Sequence, residues 1–276
     1  MTEKKRIVIW CGNAPNHRAL ANKIAGKFNL CGVVIDEKTK IKKPSLLKKV
    51  FAALQDRVFF KPINHAWSAL QQEYSKRYPV WPGVPVLRVD SINDDKAYVF
   101  TKELIPDLIV VSGTSLVRSK MLSLKPGTGI INLHTGLSPY IKGGPNCTNW
   151  CIATRQYSMI GNTIMWINEG IDSGNIITSE RTSVTGAGNL FDVQWQVMEH
   201  AHSLYLEAIH YLFSTTGSYN SVPQNQITTG NLYLTRMWDF AAKKKLLKNL
   251  PDFLKNYKSL PDESIITIPI KSPAHE

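Results

Sequence analysis

The sequence has few cysteines and no long apolar segment. Its 276 residues include only four cysteines (Cys11, Cys31, Cys147 and Cys151), and no two of them have the C-x-x-C spacing. This pattern favours reduced core thiols over a zinc site or a disulfide framework, and we predict no metal site. No apolar run is long enough to span a bilayer and no secretory signal is visible, so we expect a cytoplasmic protein with no membrane partner.

Acidic residues are scarce relative to basic ones. The chain has 21 Asp and Glu against 33 Lys and Arg, for a formal net charge of +12. A basic surface attracts phosphates whatever the fold, so this charge suits either a nucleic acid or a small substrate that carries a diphosphate. The lysines gather in two runs, Lys38 to Lys49 and Lys243 to Lys248. Such runs are most often solvated helix faces, which makes a nucleic-acid partner the less favoured interpretation.

The hydrophobic fraction of 43% is enough for a sizeable core. The chain starts with a strand-like run from Arg6 to Cys11, an amphipathic helix pattern, and a second strand pattern from Cys31 to Ile35. This order predicts an α/β, Rossmann-like fold, in which helices flank a mostly parallel sheet and ligands bind at the carboxyl ends of the strands. The first turn, Gly12 to His17, lacks the later glycines of the dinucleotide-binding fingerprint.

Changes in composition indicate the domain organisation. We expect a main domain over residues 1–215, with a lysine-rich insertion at about residues 38–82, and a linker with a small C-terminal extension over residues 216–276. The insertion has helix-like patches at Leu46 to Leu54 and at Ala66 to Tyr78. Its aromatic side chains are more typical of helix packing than of stacking on a base; they are Trp67, Tyr74, Tyr78 and Trp81.

The C-terminal extension shows a short strand pattern and one basic helix. The strand pattern covers Leu232 to Leu234, and the helix pattern starts at about Phe240. We expect Pro251 to break or restart that helix, because proline removes a backbone donor. Two aromatics of the extension, Tyr233 and Trp238, either pack against the main domain, which is the favoured alternative, or stack on a base.

An apolar run that ends in polar side chains organises the chain. It lies in the stretch GIINLHTGLSPYIKGGPNCTNW, where Asn132 and His134 are two residues apart. Strand side chains alternate, so these two point to one face and Leu133 to the other. An amide can hydrogen-bond an oxygen that develops negative charge, and an imidazole exchanges protons near neutral pH, so the pair suits acyl transfer. The alternative is a strand-capping Asn132 beside a satisfied buried His134.

A carboxylate follows in a tight turn between two strand patterns. Asp172 lies in the turn GIDSG, after the strand pattern Asn162 to Trp166 and before Asn175 to Thr178. Asp172 can orient His134 or stabilise its charge. The alternative is an ordinary turn aspartate whose side chain closes the turn.

The order of these residues resembles the folate-dependent formyltransferases. That family has an Asn-x-His at a strand end, a loop of the type SLLPxYRG, and an Asp in a GIDTG-like turn. Aligned without gaps, the matching positions are Asn132, His134, Pro139, Lys142, Gly143 and the turn Gly170 to Gly174 with Asp172. The loop TGLSPYIKG departs from the commoner PSLLPRYRG at Ser138 and Lys142. The resemblance covers about residues 5–215.

The resemblance implies a formyltransferase fold, the cofactor 10-formyltetrahydrofolate and a set of site residues. It implies the catalytic residues Asn132, His134 and Asp172, with Asn132 and protonated His134 stabilising a tetrahedral oxyanion and Asp172 orienting His134. It implies folate contacts at Val111, Gly113, Ser115, Leu116, Val117, Arg118, Asn168, Gly170, Ile171 and Asp172. It also implies substrate contacts in the first loop and the catalytic loop, for which the candidates are Asn13, Asn16, His17, Lys142 and Gly143; helix capping is the alternative for Asn16.

The resemblance also narrows the amine substrate. Methionyl-tRNA formyltransferases carry a sizeable C-terminal barrel, and glycinamide ribonucleotide transformylases lack the insertion. The resemblance therefore favours a nucleotide-linked amino sugar, as used in bacterial surface-polysaccharide biosynthesis, with an amino acid or methionyl-tRNA as the alternative amine. A homodimer is compatible with this class. The non-enzymatic alternative is a basic α/β module that binds RNA.

Overall fold

A seven-stranded sheet forms the centre of the protein. The computed structural model describes residues 4–38, 59–257 and 264–270. The strands of the sheet are β1 (Arg6–Gly12), β2 (Asn29–Asp36), β3 (Val86–Val89), β4 (Leu108–Ser112), β5 (Gly129–His134), β7 (Gly161–Trp166) and β8 (Ile176–Arg181). Their order is β3-β2-β1-β4-β5-β7-β8. The first five strands are parallel to one another, whereas β7 is antiparallel to both β5 and β8. The predicted α/β architecture with a mostly parallel sheet is confirmed.

Helices cover both faces of the sheet. They are α1 (Pro15–Ala25), α2 (Lys61–Arg77), α3 (Asp95–Glu103), α4 (Ser119–Leu122), α5 (Cys147–Ala153), α6 (Leu190–Ser214) and α7 (Phe240–Asn256). Alternate residues of β1 enter different cores: Ile7 and Ile9 pack with α1 and α6, whereas Val8 and Trp10 pack on the opposite face with residues of α3. Helix α6 has the apolar stripe that its sequence predicts, and it buries this stripe against the sheet.

The side chain of Tyr205 on α6 ties together two central strands. It is fully buried, and its hydroxyl oxygen lies 2.9 Å from the Val111 nitrogen of β4 and 2.8 Å from the Ile131 carbonyl oxygen of β5. The hydroxyl accepts from the first group and donates to the second. Because both backbone groups are buried at strands that lead to the cavity described below, this bond fixes the spacing of those strand ends.

We expect Tyr205→Phe to lower the free energy of unfolding by about 1–3 kcal/mol, because it leaves a buried amide and carbonyl without their partner. Urea unfolding of the parent and the variant measures this change. Tyr211→Phe on the same helix is the matched control, since the Tyr211 hydroxyl accepts one long bond of 3.4 Å from Asn220. An equal loss in the two variants would contradict the role given to Tyr205.

The described residues after Thr215 pack against the rest of the protein, and one of their strands pairs with residues 141–143. Two further strands, β6 (Ile141–Gly143) and β9 (Asn231–Tyr233), form a parallel pair. Helix α7 buries Leu246 and Phe253. The Asn249 side chain donates to the carbonyls of residues 152 and 153 at the end of α5. The division into residues 1–215 and 216–276 remains a prediction.

Our expectation for Pro251 is wrong. Helix α7 continues through it from Phe240 to Asn256. Buried Asn249 and Phe253 lie on either side of Pro251, so tertiary packing offsets the hydrogen bond that proline removes. The basic run on this helix includes exposed Lys244, Lys245 and Lys248, a solvated face.

The described part of the insertion consists mainly of α2. This helix starts at Lys61, earlier than its predicted start at Ala66, and the predicted patch Leu46 to Leu54 lies outside the described residues. Of the first lysine run, only Lys38 is among the described residues. Buried Leu70 and Tyr74 hold α2 against the protein. Within the described ranges, no helix has the length and apolar character that crossing a membrane requires.

Candidate active site

A cavity of about 640 Å³ lies at the carboxyl ends of β1, β4 and β5. Its walls include the loop after β4, the end of β5, the turn between β7 and β8, and residues 233–235 of the C-terminal extension. Most predicted site residues line it: Asn16, His17, Val111, Gly113, Ser115, Leu116, Val117, Asn132, His134, Gly143, Asn168, Gly170, Ile171 and Asp172. Parallel strands of this fold class place their ligand sites at this edge, as the sequence led us to expect.

Three predicted residues do not line this cavity. The Asn13 side chain donates to Glu37 and accepts from Arg88 in an exposed cluster. Arg118 precedes α4, and Lys142 lies within β6. Their assigned roles in ligand binding remain predictions.

The carboxylate of Asp172 gathers three groups. Its Oδ1 accepts from the amide Nδ2 of Asn132 at 3.3 Å, and its Oδ2 accepts from the backbone N–H of Gly143 at 2.9 Å. The same Oδ2 lies 3.2 Å from Nδ1 of His134. Asp172 has a φ of 46°, a left-handed conformation that aspartate tolerates better than most residues. The turn therefore aims its carboxylate at the end of β5.

His134 is held in its charged form. Burial acts to lower the pKa of His134, but the nearby Asp172 carboxylate and Cys147 raise it, and the net result is a pKa of about 10. The geometry agrees, because Nδ1 faces Asp172 and Nε2 lies 2.9 Å from the carbonyl oxygen of Ile141. An oxygen atom near each ring nitrogen favours the doubly protonated imidazolium. The Sγ atom of Cys147 lies 3.6 Å from Nε2.

Two residues that we did not predict hold the cavity walls. The buried Asp36, at the end of β2, accepts from the backbone N–H of Ser115 at 2.6 Å and so fixes the loop after β4. The buried Gln224 donates to the carbonyls of Asp172 and Gly174, each at 2.8 Å, and so fixes the turn. The sequence could have indicated Asp36, because it places a carboxylate at the carboxyl end of a predicted strand. Nothing in the sequence indicated Gln224, since it lies in the polar linker.

The loop after β4 passes close to the first loop at Gly113. Gly113 has a φ of 67°, and a methyl group added there would meet Nε2 of His17 at 2.3 Å. Burial, with a smaller effect from the Lys38 charge, lowers the pKa of His17 to about 4, so this ring is neutral at pH 7. Its Nδ1 is buried and has no hydrogen-bond partner among the residues that the structure describes.

We expect Gly113→Ala to weaken binding of folinic acid, a stable formyl-folate, by about tenfold, because the left-handed backbone and the His17 contact both oppose a methyl group there. Isothermal titration calorimetry measures the affinity. Gly127→Ala is the control, since a methyl group at Gly127 meets nothing within 4 Å. Unchanged affinity in Gly113→Ala would show that this loop does not shape a folate site.

The C-terminal extension completes one wall of the cavity. Tyr233, Leu234 and Thr235 line it, and the carbonyl of Tyr233 accepts from the backbone N–H of Gly144 at 2.9 Å. The Tyr233 ring stacks on Trp150 with centroids 4.3 Å apart, and Trp238 meets Trp150 edge-on at 4.8 Å. The packing alternative for Tyr233 and Trp238 is therefore confirmed. Among the described residues, no group of three or more His, Cys, Asp or Glu side chains is placed to hold a metal ion.

Comparison with known proteins identifies relatives of this chain. Residues 7–209 match the family model described as formyl transferase. The chain is 30% identical over 129 residues to the methionyl-tRNA formyltransferase of Syntrophus aciditrophicus, a match that covers 47% of this chain and 41% of that protein. The match thus spans less than half the length of that relative.

Solved structures share the fold. A 4-N formyltransferase from Francisella tularensis has a TM-score of 0.54 at 18% identity, covering 96% of this chain and 95% of that one. The N-formyltransferase from Helicobacter canadensis, in complex with folinic acid and dTDP-3-aminofucose, has a TM-score of 0.50 at 14% identity, covering 83% of this chain and 71% of that one. At such identities the likeness establishes the architecture alone.

Proposed function

This chain belongs to the formyl transferase family, and we propose that it is a folate-dependent enzyme that moves the formyl group of 10-formyltetrahydrofolate to a primary amine of a nucleotide-linked amino sugar. The observation that carries the proposal is the cluster of Asn132, His134 and Asp172 at the wall of the cavity. We further propose that it acts in the cytoplasm, in the synthesis of a surface polysaccharide.

The cavity fits a formyl-folate. Its volume of about 640 Å³ lies within the range of small-molecule sites, and both apolar and polar residues line it. Leu116 and Ile171 line it on two different walls and are 49% and 43% exposed, which suits packing against a flat ring. The loop after β4 and the Asp172 turn would hold the ring. The folate supplies an activated one-carbon formyl group on nitrogen.

Each residue of the cluster has a separate task. One N–H of the Asn132 amide is engaged by Asp172, which leaves the second N–H to donate to an oxygen that gains negative charge. One donor of this kind typically contributes about 2.7–4 kcal/mol to the transition state. The imidazolium of His134 adds positive charge beside that oxygen. Asp172 holds both side chains in place. It can accept the proton that the amine loses as its bond to the formyl carbon forms, and return that proton to the folate nitrogen as the bond between this nitrogen and the formyl carbon breaks, which releases tetrahydrofolate.

Three features support the amino-sugar substrate. The net charge of +12 suits a diphosphate. Tyr233, Leu234 and Thr235, which come from the stretch after the main domain, line the cavity and can contact a substrate larger than the amine itself. A protein with this fold, from Helicobacter canadensis, is in complex with a dTDP-linked amino sugar.

The second candidate is formylation of methionyl-tRNA, which the match to the Syntrophus aciditrophicus protein favours. An amino acid is a further candidate amine. An RNA-binding module without activity would not need the three-way contact of Asp172 with Asn132, His134 and Gly143, and this contact argues against it.

The test is a panel of amines. The protein is incubated with 10-formyltetrahydrofolate and several nucleotide-linked amino sugars, free amino acids or methionyl-tRNA, and mass spectrometry detects a product heavier by one formyl group. A formylated sugar supports the proposal. If only another amine is formylated, the proposed activity holds but the proposed substrate is wrong. If no amine reacts and no folate binds, the proposal that the protein is a formyltransferase is wrong.

A further inference from the structure

One aromatic side chain of the insertion lies at the cavity and outside the hydrophobic clusters of the described residues. Tyr74 and Tyr78 pack with Ala19, Leu70 and Met198, and Trp81 packs against the main core. Trp67 differs, because it is 40% exposed and lines the cavity. Its indole makes no hydrogen bond and no ring contact within the described residues. Our expectation that the insertion aromatics serve packing therefore holds for the other three only.

The helix that carries Trp67 is rigidly attached at the cavity. Gln71 is four residues after Trp67, so both lie on one face of α2. The Gln71 side chain donates to Oδ1 of Asn16 at 3.2 Å and accepts from the Asn16 backbone N–H at 3.3 Å. Asn16 itself lines the cavity. Because Leu70 and Tyr74 are fully buried, the indole is presented on a fixed support and loses little freedom when a ligand stacks on it.

A positive charge lines the same cavity. Lys38 follows β2, and its ammonium group forms no ion pair with the described residues. Its charge is close enough to His17 to lower the pKa of that ring further after burial has done so. Lys38 and Trp67 both line this cavity, which therefore offers a cation for a phosphate and a flat surface for a base.

We propose that Trp67 is a specificity-determining residue on which the base of a nucleoside diphosphate stacks, with Lys38 contacting its phosphates. This inference rests on the proposed function in naming the nucleotide as part of the amine substrate. The folate ring is assigned to other residues, because Leu116 and Ile171 lie on the walls formed by the loop after β4 and by the Asp172 turn.

The test is calorimetric titration of the full chain with dTDP, UDP, pyrophosphate and folinic acid. We expect Trp67→Ala to weaken binding of the preferred nucleotide by about ten- to a hundredfold, because base stacking on an aromatic side chain contributes this much. Trp67→Phe keeps an aromatic face and should retain most of the affinity. The affinities for pyrophosphate and folinic acid should not change. The matched control is Val80→Ala, which removes another exposed apolar side chain, 68% exposed, away from the cavity lining.

Three results overturn the inference. They are equal nucleotide affinity in Trp67→Ala and the parent, a loss confined to folinic acid, and no binding of either nucleotide by the parent. Its failure is separable from that of the proposed function. If the parent formylates a nucleotide-linked sugar and Trp67→Ala keeps the same KM for it, the proposed function is supported and the stacking role of Trp67 is wrong. If no sugar is formylated but dTDP or UDP binding depends on Trp67, the stacking role is supported and the proposed amino-sugar substrate is wrong.

Discussion

Asp172→Asn lowers kcat for formyl transfer by about 10²- to 10⁴-fold and leaves the KM values nearly unchanged, if Asp172 acts as the arrangement indicates. The variant keeps the size of the side chain but replaces a pure acceptor with an amide. In the parent, the carboxylate accepts from Asn132 and Gly143 and lies 3.2 Å from Nδ1 of His134. The amide of asparagine has one oxygen and one NH₂ group, so it cannot accept hydrogen bonds from all three donors. Its N–H faces at least one of these donors, and the group that would accept the amine proton is lost.

The measurement is a steady-state assay with the amine identified by the panel. Asp95→Asn is the control, because Asp95 is 82% exposed and pairs with Lys120 on the surface. A small loss of stability accompanies Asp172→Asn, since a buried donor without an acceptor costs about 1–3 kcal/mol. Circular dichroism therefore has to show folded protein. Folded Asp172→Asn with the parent kcat would remove Asp172 from the mechanism.

The local pattern of the chain was sufficient to predict the sheet and the placement of Asn132 beside His134. Residues two apart on a strand share a face, and this rule alone placed Asn132 beside His134 at the end of β5. The carboxyl ends of parallel strands lie at one edge, which placed His17 and Gly113 at the same cavity. Predicting that Asp172 contacts Asn132 and His134 required the family resemblance, because the sequence around a turn aspartate does not indicate its distant partners.

What the sequence did not predict depends on contacts between distant segments. Gln224 reaches the Asp172 turn from a polar linker, and its sequence neighbours show no trace of this. Trp67 lies on a helix with three other aromatics in or near it, and only the packing of α2 distinguishes the open indole from the buried rings. Pro251 was misjudged for the same reason, because buried neighbours on α7 compensate for a locally unfavourable residue.

His134→Gln lowers kcat by a similar factor of about 10²–10⁴ and also changes how stability depends on pH. In the parent, burial opposes the charge on His134, but Asp172 outweighs it and raises the pKa to about 10. A pKa raised in the folded state stabilises the protein fully below the unfolded value of about 6.5, and this stabilisation is lost as the pH rises through the folded value. Glutamine does not titrate, so the variant lacks this dependence.

The stability advantage of the parent over His134→Gln should therefore be largest near pH 6 and shrink steadily towards pH 10. Urea unfolding of both proteins at pH 6, 8 and 10 measures it. His65→Gln on α2 is the control, because His65 is exposed and its replacement should leave the two curves parallel. If His134→Gln also follows the parent at a constant offset, His134 is not charged in the folded protein. The imidazolium would then have no part in stabilising the oxyanion, and Asn132 would be the only side-chain donor of the cluster left for that task.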